Sequence, residues 1–217
     1  YVQNWLLSAV AISYLKVRDS GVGTPEQDTH IRKWFGSLNG RVADYFSRAL
    51  KRHDSDGYNN HLYWAGLAVG AAAIADNKPK DFAAAVATYR IGVGSIQPDG
   101  SLPLEMDRGQ MALHYHLYAL GPLIILAELG EVNGFQMYAD NDGAIHRLVR
   151  LCLAGLEDPA IFEKRTGIAQ VVTRPYSGSD IGWAVPYVRR FPNEQLSALI
   201  AKAPWVRFTS WGGAPPE

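Results

Sequence analysis

Residues 61–94 read HLYWAGLAVGAAAIADNKPKDFAAAVATYRIGVG. Apolar residues recur at three- and four-residue intervals on both sides of the polar break at 77–80, and no convincing alternation of period two interrupts them. The spacing predicts one helix over 61–76 and a second opened by Pro79, with Phe82, Val86, Tyr89 and Val93 as its buried stripe. So short a connection returns the chain alongside itself, and the two helices form an antiparallel hairpin.

The same pattern extends outward. On the N-terminal side Trp5, Leu6, Ala9, Ile12 and Leu15, with Tyr14, trace an amphipathic helix that breaks at 21–24. Thr24, Pro25 and Gln27 then spell an N-cap, a first-turn proline and a polar partner. They open a helix to about residue 51 with Ile31, Trp34, Leu38, Val42 and Phe46 as its stripe. The loop HDSDGYNN (53–60) ends in Asn59 and Asn60, either of which can cap the helix that follows. On the C-terminal side QPDGSLP (97–103) signals a turn. A long apolar helix is predicted over 107–129, closed by Gly130, and another over 141–155. A looser region holds Trp183 and Tyr187, a short helix covers 193–202, and WGGAPPE (211–217) reads as frayed coil. The fold class is all-α: one domain over 1–217 built of antiparallel helical hairpins, stacked as a bundle, a superhelix or a toroid. No fixed repeat period supports a solenoid.

Bulk properties narrow the function. Lys plus Arg equals Asp plus Glu at 21 each, so no global basic field draws in nucleic acid or an anionic membrane. An anionic ligand must be held by a local cluster. The single cysteine, Cys152, excludes an intramolecular disulfide, and its place in LVRLCLAGL (148–156) reads as a buried thiol. No uninterrupted apolar stretch reaches the roughly 18–20 residues of a membrane span. The chain opens directly into a helix with no signal-peptide pattern, which suggests that it begins inside a larger protein.

Two segments could carry chemistry. In NNHLYW (59–64) a helix start brings Asn59 or Asn60, free backbone N–H groups and the positive end of the helix dipole together, a natural seat for a carboxylate. His61, Trp64, Ala65 and Ala68 share a face, and an indole beside an imidazole suits a sugar ring. An ordinary N-cap with a half-buried histidine accounts for the same residues. In MDRGQMALHYHLYALGPL (106–123), Arg108 and Tyr115 are seven residues apart, nearly two helical turns, and fall on one face floored by Ala112 and Ala119. A buried arginine on helix ends and a tyrosine reaching out of the core would leave the same trace. His114 and His116 point to different sides of the helix, which argues against a metal pair, and no HExxH or paired cysteines appear; no metal or cofactor is expected. IGVGSIQPDG (91–100) lacks the strand and third glycine of a nucleotide loop, and no GxSxG elbow is present. Asp99 and Glu105 could serve as the carboxylate pair of an inverting glycosidase, but their place in a turn region marks them as turn and capping residues.

Asn, His, Arg and Tyr without a metal suit β-elimination in a 4-linked uronate. The C5 proton becomes removable when charge growing on the adjacent carboxylate is neutralised by an amide and a guanidinium, while a tyrosine or histidine moves protons.

NNHLYWAG (59–66), YRIGV (89–93), DGSLPLE (99–105), RGQMALHYHLYALGPL (108–123), EDP (157–159) and KRTGIAQ (164–170) resemble the alginate lyases of polysaccharide lyase family five, as do NWLLSAVAISYLKVR (4–18) and the Trp183–Tyr187 pair. The resemblance implies an incomplete (α/α) toroid with a deep cleft, a substrate of mannuronate-rich alginate, and an elimination that leaves unsaturated uronate ends. It implies that Asn60 and Arg108 neutralise the carboxylate, that His61 and Tyr115 handle protons, and that Asn59, Tyr63, Trp64, His116 and Tyr118 contact substrate. For mannuronate, Tyr115 could serve as base and acid; for guluronate His61 would be the base. It also implies a monomer, periplasmic or secreted, with no cofactor. The family carries a further helical region and lid loop before the point where this chain starts. Another polyuronate as substrate, or a catalytically silent polyuronate-binding module, stays open at this point.

Overall fold

A computed structural model describes residues 2–52 and 57–214. Its helices are α1 (Val2–Val17), α2 (Pro25–Lys51), α3 (Asn60–Ala75), α4 (Pro79–Gly94), α5 (Pro103–Met106), α6 (Ala112–Val132), α7 (Asp140–Glu157), α8 (Ala160–Thr166), α9 (Gly178–Ile181), α10 (Ala184–Arg190) and α11 (Glu194–Lys202). No β-strand occurs among the described residues; Phe208 and Gly213 form an isolated bridge.

The α3/α4 hairpin is the centre, as its sequence predicts. Helix α3 buries every residue over 62–73 and packs against α1, α2, α4 and α6. A helix apolar on all sides belongs in a core rather than on a surface. Small residues let its neighbours approach: a Cβ on Gly70 would stand 2.9 Å from Leu126 of α6. Phe82, Val86, Tyr89 and Val93 of α4 are all buried. Helix α6, the other long core element, packs on α3, α4 and α7.

The cap at Thr24 formed as read. Thr24 Oγ1 accepts from Gln27 N–H at 3.2 Å while Gln27 Oε1 accepts from Thr24 N–H at 2.9 Å, a complete capping box. Asn193 caps α11 through Leu196 N–H at 2.9 Å.

Several expectations need correction. In α1, Leu6 is 60% exposed and Leu7 and Ala11 take the inner face. In α2, Ile31 and Trp34 face out and Phe35 and Asn39 are buried, because Phe35 packs edge-on to Tyr14 and Asn39 turns its amide towards Asp81. A polar residue in the buried row hid that stripe. The helix predicted over 107–129 starts only at Ala112: α5 stops at Met106, and Gly109 has φ +57, a left-handed conformation that opens a 3-10 turn, Gly109–Met111, before α6. Likewise α7 turns right-handed only after residues 141–143, all at positive φ. The region after α7 is more helical than expected, since α8, α9 and α10 are too short to show a period.

The tail is not frayed where it is described. Trp211 is buried, Lys16 Nζ donates to Gly212 O at 2.8 Å and Ala214 O at 2.6 Å, and Ser8 Oγ donates to Ser210 O at 2.9 Å. Residues 215–217 of that tail, and 53–56 of the 53–60 loop, lie outside the described residues. Cys152 is fully buried, and desolvation pushes its thiol up. No uninterrupted apolar stretch of membrane length is present, since His114, His116 and Glu128 interrupt 109–132, although Gly109–Val132 is long and apolar enough on average to span a membrane and most of its most apolar part is buried inside the fold. A core helix passes the same test.

Candidate active site

The site begins at the start of α3. Asn59 is the cap, its Oδ1 accepting from His61 N–H at 2.9 Å, and Asn60 is the first helical residue. Asn60 is fully buried. Its backbone N–H donates to Glu105 Oε1 at 2.7 Å, and its Nδ2 donates to both carboxylate oxygens at 3.0 and 3.1 Å. Asn60 Oδ1 has no hydrogen-bond partner among the described residues. His61, next along, is partly exposed.

Glu105 joins this helix start to the second segment. It stands on α5, with Arg108 one turn later, whose Nε lies 3.7 Å from Glu105 Oε2. That separation is an ion pair rather than a hydrogen bond. The Arg108 guanidinium rests 4.7 Å from the centroid of the Tyr115 ring. Arg108 and Tyr115 therefore meet, but through the fold of the turn at Gly109 and not along a shared helix. Burial pushes the Glu105 carboxyl above its ordinary range, opposed by the Asn60 hydrogen bonds and by the Arg108 charge.

His116 fixes α5. Leu102 N–H donates to its Nε2 at 3.0 Å and its Nδ1 donates to Ala112 O at 2.7 Å, so both ring nitrogens are used and the imidazole is neutral. Burial pushes it down to about 4. The expected substrate contact at His116 is thus corrected to a strut that holds the helix carrying Glu105.

Near the start of α6 the accessible residues are His114, Tyr115 and Tyr118, with Met111 just before it, whereas Ala112 and Ala119 are fully buried and do not floor a cleft. His114 stacks on Tyr118 with rings 12° apart and stands edge-on to Tyr115. Burial lowers the His114 imidazole, with Asp180 opposing. Tyr118 lies against Trp64 at 5.1 Å. Trp64 itself is 1% exposed, its ring stacked on Trp211 at 6.3 Å, so the expected open indole platform is corrected to a core residue. Tyr63 is buried too. Its hydroxyl donates to Tyr58 O at 3.0 Å and its ring lies against Gly92, which removes it from the expected substrate contacts.

Sequence reasoning missed Glu105, read as a turn and capping residue, and Gln170, which fastens the Gly109 turn. The signal for Glu105 was present: an acid and an arginine three residues apart just after a turn. Asp99 is the turn residue expected, accepting from Ser101 N–H at 3.0 Å. Among the described residues no three His, Cys, Asp or Glu side chains gather to hold a metal.

The chain is similar to known proteins. The alginate lyase family matches residues 1–162. A polysaccharide lyase of Stenotrophomonas maltophilia is 42% identical over 94% of this chain and 59% of its own length. An alginate lyase of Pseudomonas fluorescens is 37% identical over 86% of this chain and 50% of its own. The chain thus spans about half the length of the curated relatives it matches. Among solved structures, alginate lyase A1-III of a Sphingomonas species superposes with TM-score 0.82 at 23% identity, covering 97% of this chain and 59% of that one. The same lyase complexed with a tetrasaccharide superposes equally well, at 25% identity. The A1-III fold is an (α/α) toroid, and the hairpins of this chain form an incomplete one, as expected. With the family matching three quarters of the chain and the hairpins superposing on a member, the chain belongs to the alginate lyase family.

Proposed function

We propose that this chain carries the cleft of a lyase that cleaves alginate by β-elimination, preferring mannuronate. The observation that carries the reading is the contact of the Arg108 guanidinium with the Tyr115 ring, tied through Glu105 to the start of α3. A partly exposed cation, an adjacent phenol and a partly exposed imidazole suit the reaction. Arg108 neutralises the uronate carboxylate as negative charge spreads onto it from C5. The buried Asn60 holds Glu105, and its amide reaches a substrate carboxylate only by leaving Glu105.

In mannuronate the C5 proton and the 4-oxygen lie on the same side of the ring. Tyr115, entering as phenolate, takes the C5 proton; the C5 electron pair forms the C4–C5 double bond as the C4–O bond breaks, and the phenol returns its proton to the leaving oxygen. In guluronate the two lie on opposite faces, and His61 takes the proton while Tyr115 supplies one. Tyr118, beside these groups, completes the proposed site, while Asn59, buried as the cap of α3, is corrected from a substrate contact to a residue that holds His61 in place. A second reading is a lyase of another polyuronate, since the Stenotrophomonas relative is named a polysaccharide lyase with no substrate specified. A monomer in the periplasm or outside the cell completes the proposal.

The test is the ultraviolet absorbance of the conjugated uronate on incubation of the full-length protein with poly-mannuronate, poly-guluronate and other polyuronates. Hydrolysis creates no such chromophore. Binding without any absorbance rise sinks the lyase reading, and a rise on a different polyuronate alone replaces alginate.

A further inference from the structure

The turn that aims Arg108 has no cap of its own. Neither the 3-10 turn Gly109–Met111 nor α6 makes a side-chain cap with its N-cap residue, Arg108 or Met111. Helix starts leave backbone N–H groups that need a partner. Here the partner comes from a different segment, the 167–171 loop after α8. Gln170 Oε1 accepts from Leu113 N–H at 3.0 Å, in the first turn of α6. Gln170 Nε2 donates to Gly109 O at 3.0 Å, on the other side of the break, and also to Ile168 O at 3.0 Å and Thr166 Oγ1 at 3.2 Å. Val171 N–H donates to Gln110 O at 2.8 Å. Three acceptors surround the amide nitrogen and one N–H faces the amide oxygen, so the reversed amide would set carbonyl against carbonyl. Ile168 lies over Gly109, its Cδ1 3.5 Å from where a Cβ would stand.

A glycine at φ +57 has other conformations nearby at little cost. The direction in which Arg108 leaves the chain is therefore set by whatever grips the turn on both sides of Gly109. We propose that Gln170 is the positioning residue of the Arg108–Tyr115 pair: one amide latches the turn to the start of α6 and holds the guanidinium against the ring. The proposal rests on the lyase reading for its effect on turnover. The latch itself does not.

The experiment uses the full-length protein with Gln170→Ala and, as a second variant that keeps an acceptor for Leu113 N–H but sets oxygen against Gly109 O, Gln170→Glu. Two measurements are made. Amide hydrogen exchange at Leu113 is expected to lose protection in Gln170→Ala and keep it in Gln170→Glu. Turnover is expected to fall by up to about a hundredfold in both, mainly in kcat, as for a small misplacement of a reacting group. A merely structural role would lower the melting temperature and leave kcat at low temperature alone. In an Arg108→Lys background Gln170→Ala is expected to cost little further, since both changes act on one contact. Unchanged Leu113 protection, or additive losses in the double variant, overturns the latch. A parent protein that is silent on all polyuronates while Leu113 loses protection in Gln170→Ala sinks the lyase reading and leaves the latch standing.

Discussion

Glu105 turns its whole carboxylate to Asn60, accepting its backbone N–H at 2.7 Å and its side-chain amide at 3.0 and 3.1 Å, across 45 residues of sequence. This contact, with Arg108 on its outer side, joins the two segments that carry the proposed chemistry. Glu105→Ala strands two buried donors of Asn60 and releases Arg108. It should cost about 1–3 kcal/mol of stability and lower turnover together.

The same carboxyl makes a pH prediction. Burial raises it above 4.5, so the folded protein holds that proton more tightly than the unfolded chain does. Its contribution is then most favourable below the unfolded value of 4.5 and diminishes as pH rises towards the raised folded value. Glu105→Gln cannot titrate. The stability difference, parent minus Glu105→Gln, should therefore fall as pH climbs above the ordinary carboxylate range. Urea unfolding midpoints across that window check it; a difference that grows with pH contradicts the assignment.

Asn60→Asp is nearly isosteric and should be far worse than its size suggests. It sets a second carboxylate within hydrogen-bond distance of Glu105 in a fully buried place, where two like charges cannot both persist. The expected loss is on the order of 3 kcal/mol at neutral pH, shrinking in acid as the pair takes up a proton. Asn60→Ala lacks the second charge. If thermal melts find Asn60→Asp as stable as Asn60→Ala at neutral pH, the buried contact is misassigned.

Much of this was legible from local chemistry. The Thr24 capping box and the Pro79 start each rest on residues within a few positions of one another, and periodicity reports them. The inner face of α3 was not legible, because a helix buried on every side has no period to read, and α6, apolar along most of its length, shows little more of one. Hence Tyr63, Trp64 and His116 were taken for cleft residues. Arg108 and Tyr115 were paired correctly for a reason that fails: the helix assumed to align them is broken at Gly109, and the contact survives because the turn folds the arginine back over the ring. The Glu105–Asn60 contact depends on the packing of α5 beside α3, which no local pattern encodes.

His116 supplies an acid-sensitive strut. Its folded value of about 4 lies below the ordinary 6.5 of histidine, so the fold favours the neutral ring. That preference contributes fully above 6.5 and is lost as pH falls towards 4, a span worth up to about 3 kcal/mol. His116→Phe removes this slope and also orphans Leu102 N–H, lowering stability by about 1–3 kcal/mol at neutral pH. Unfolding measured from pH 7 to 4 should show a shallower loss in the variant. Parallel curves would mean the ring is not buried neutral.

Tyr115→Phe removes one oxygen and leaves the ring under Arg108 in place. Stability should change by no more than about 0.5 kcal/mol, since the hydroxyl is not part of the core. Turnover on poly-mannuronate should fall by about a thousandfold, the scale of a lost proton-transfer group. His61→Ala separates the two proton schemes. If Tyr115 both removes and returns the proton on mannuronate, His61→Ala weakens that reaction but abolishes any on guluronate, where the base must come from the other face. Equal losses on both polymers would make His61 the common base and confine Tyr115 to the leaving oxygen.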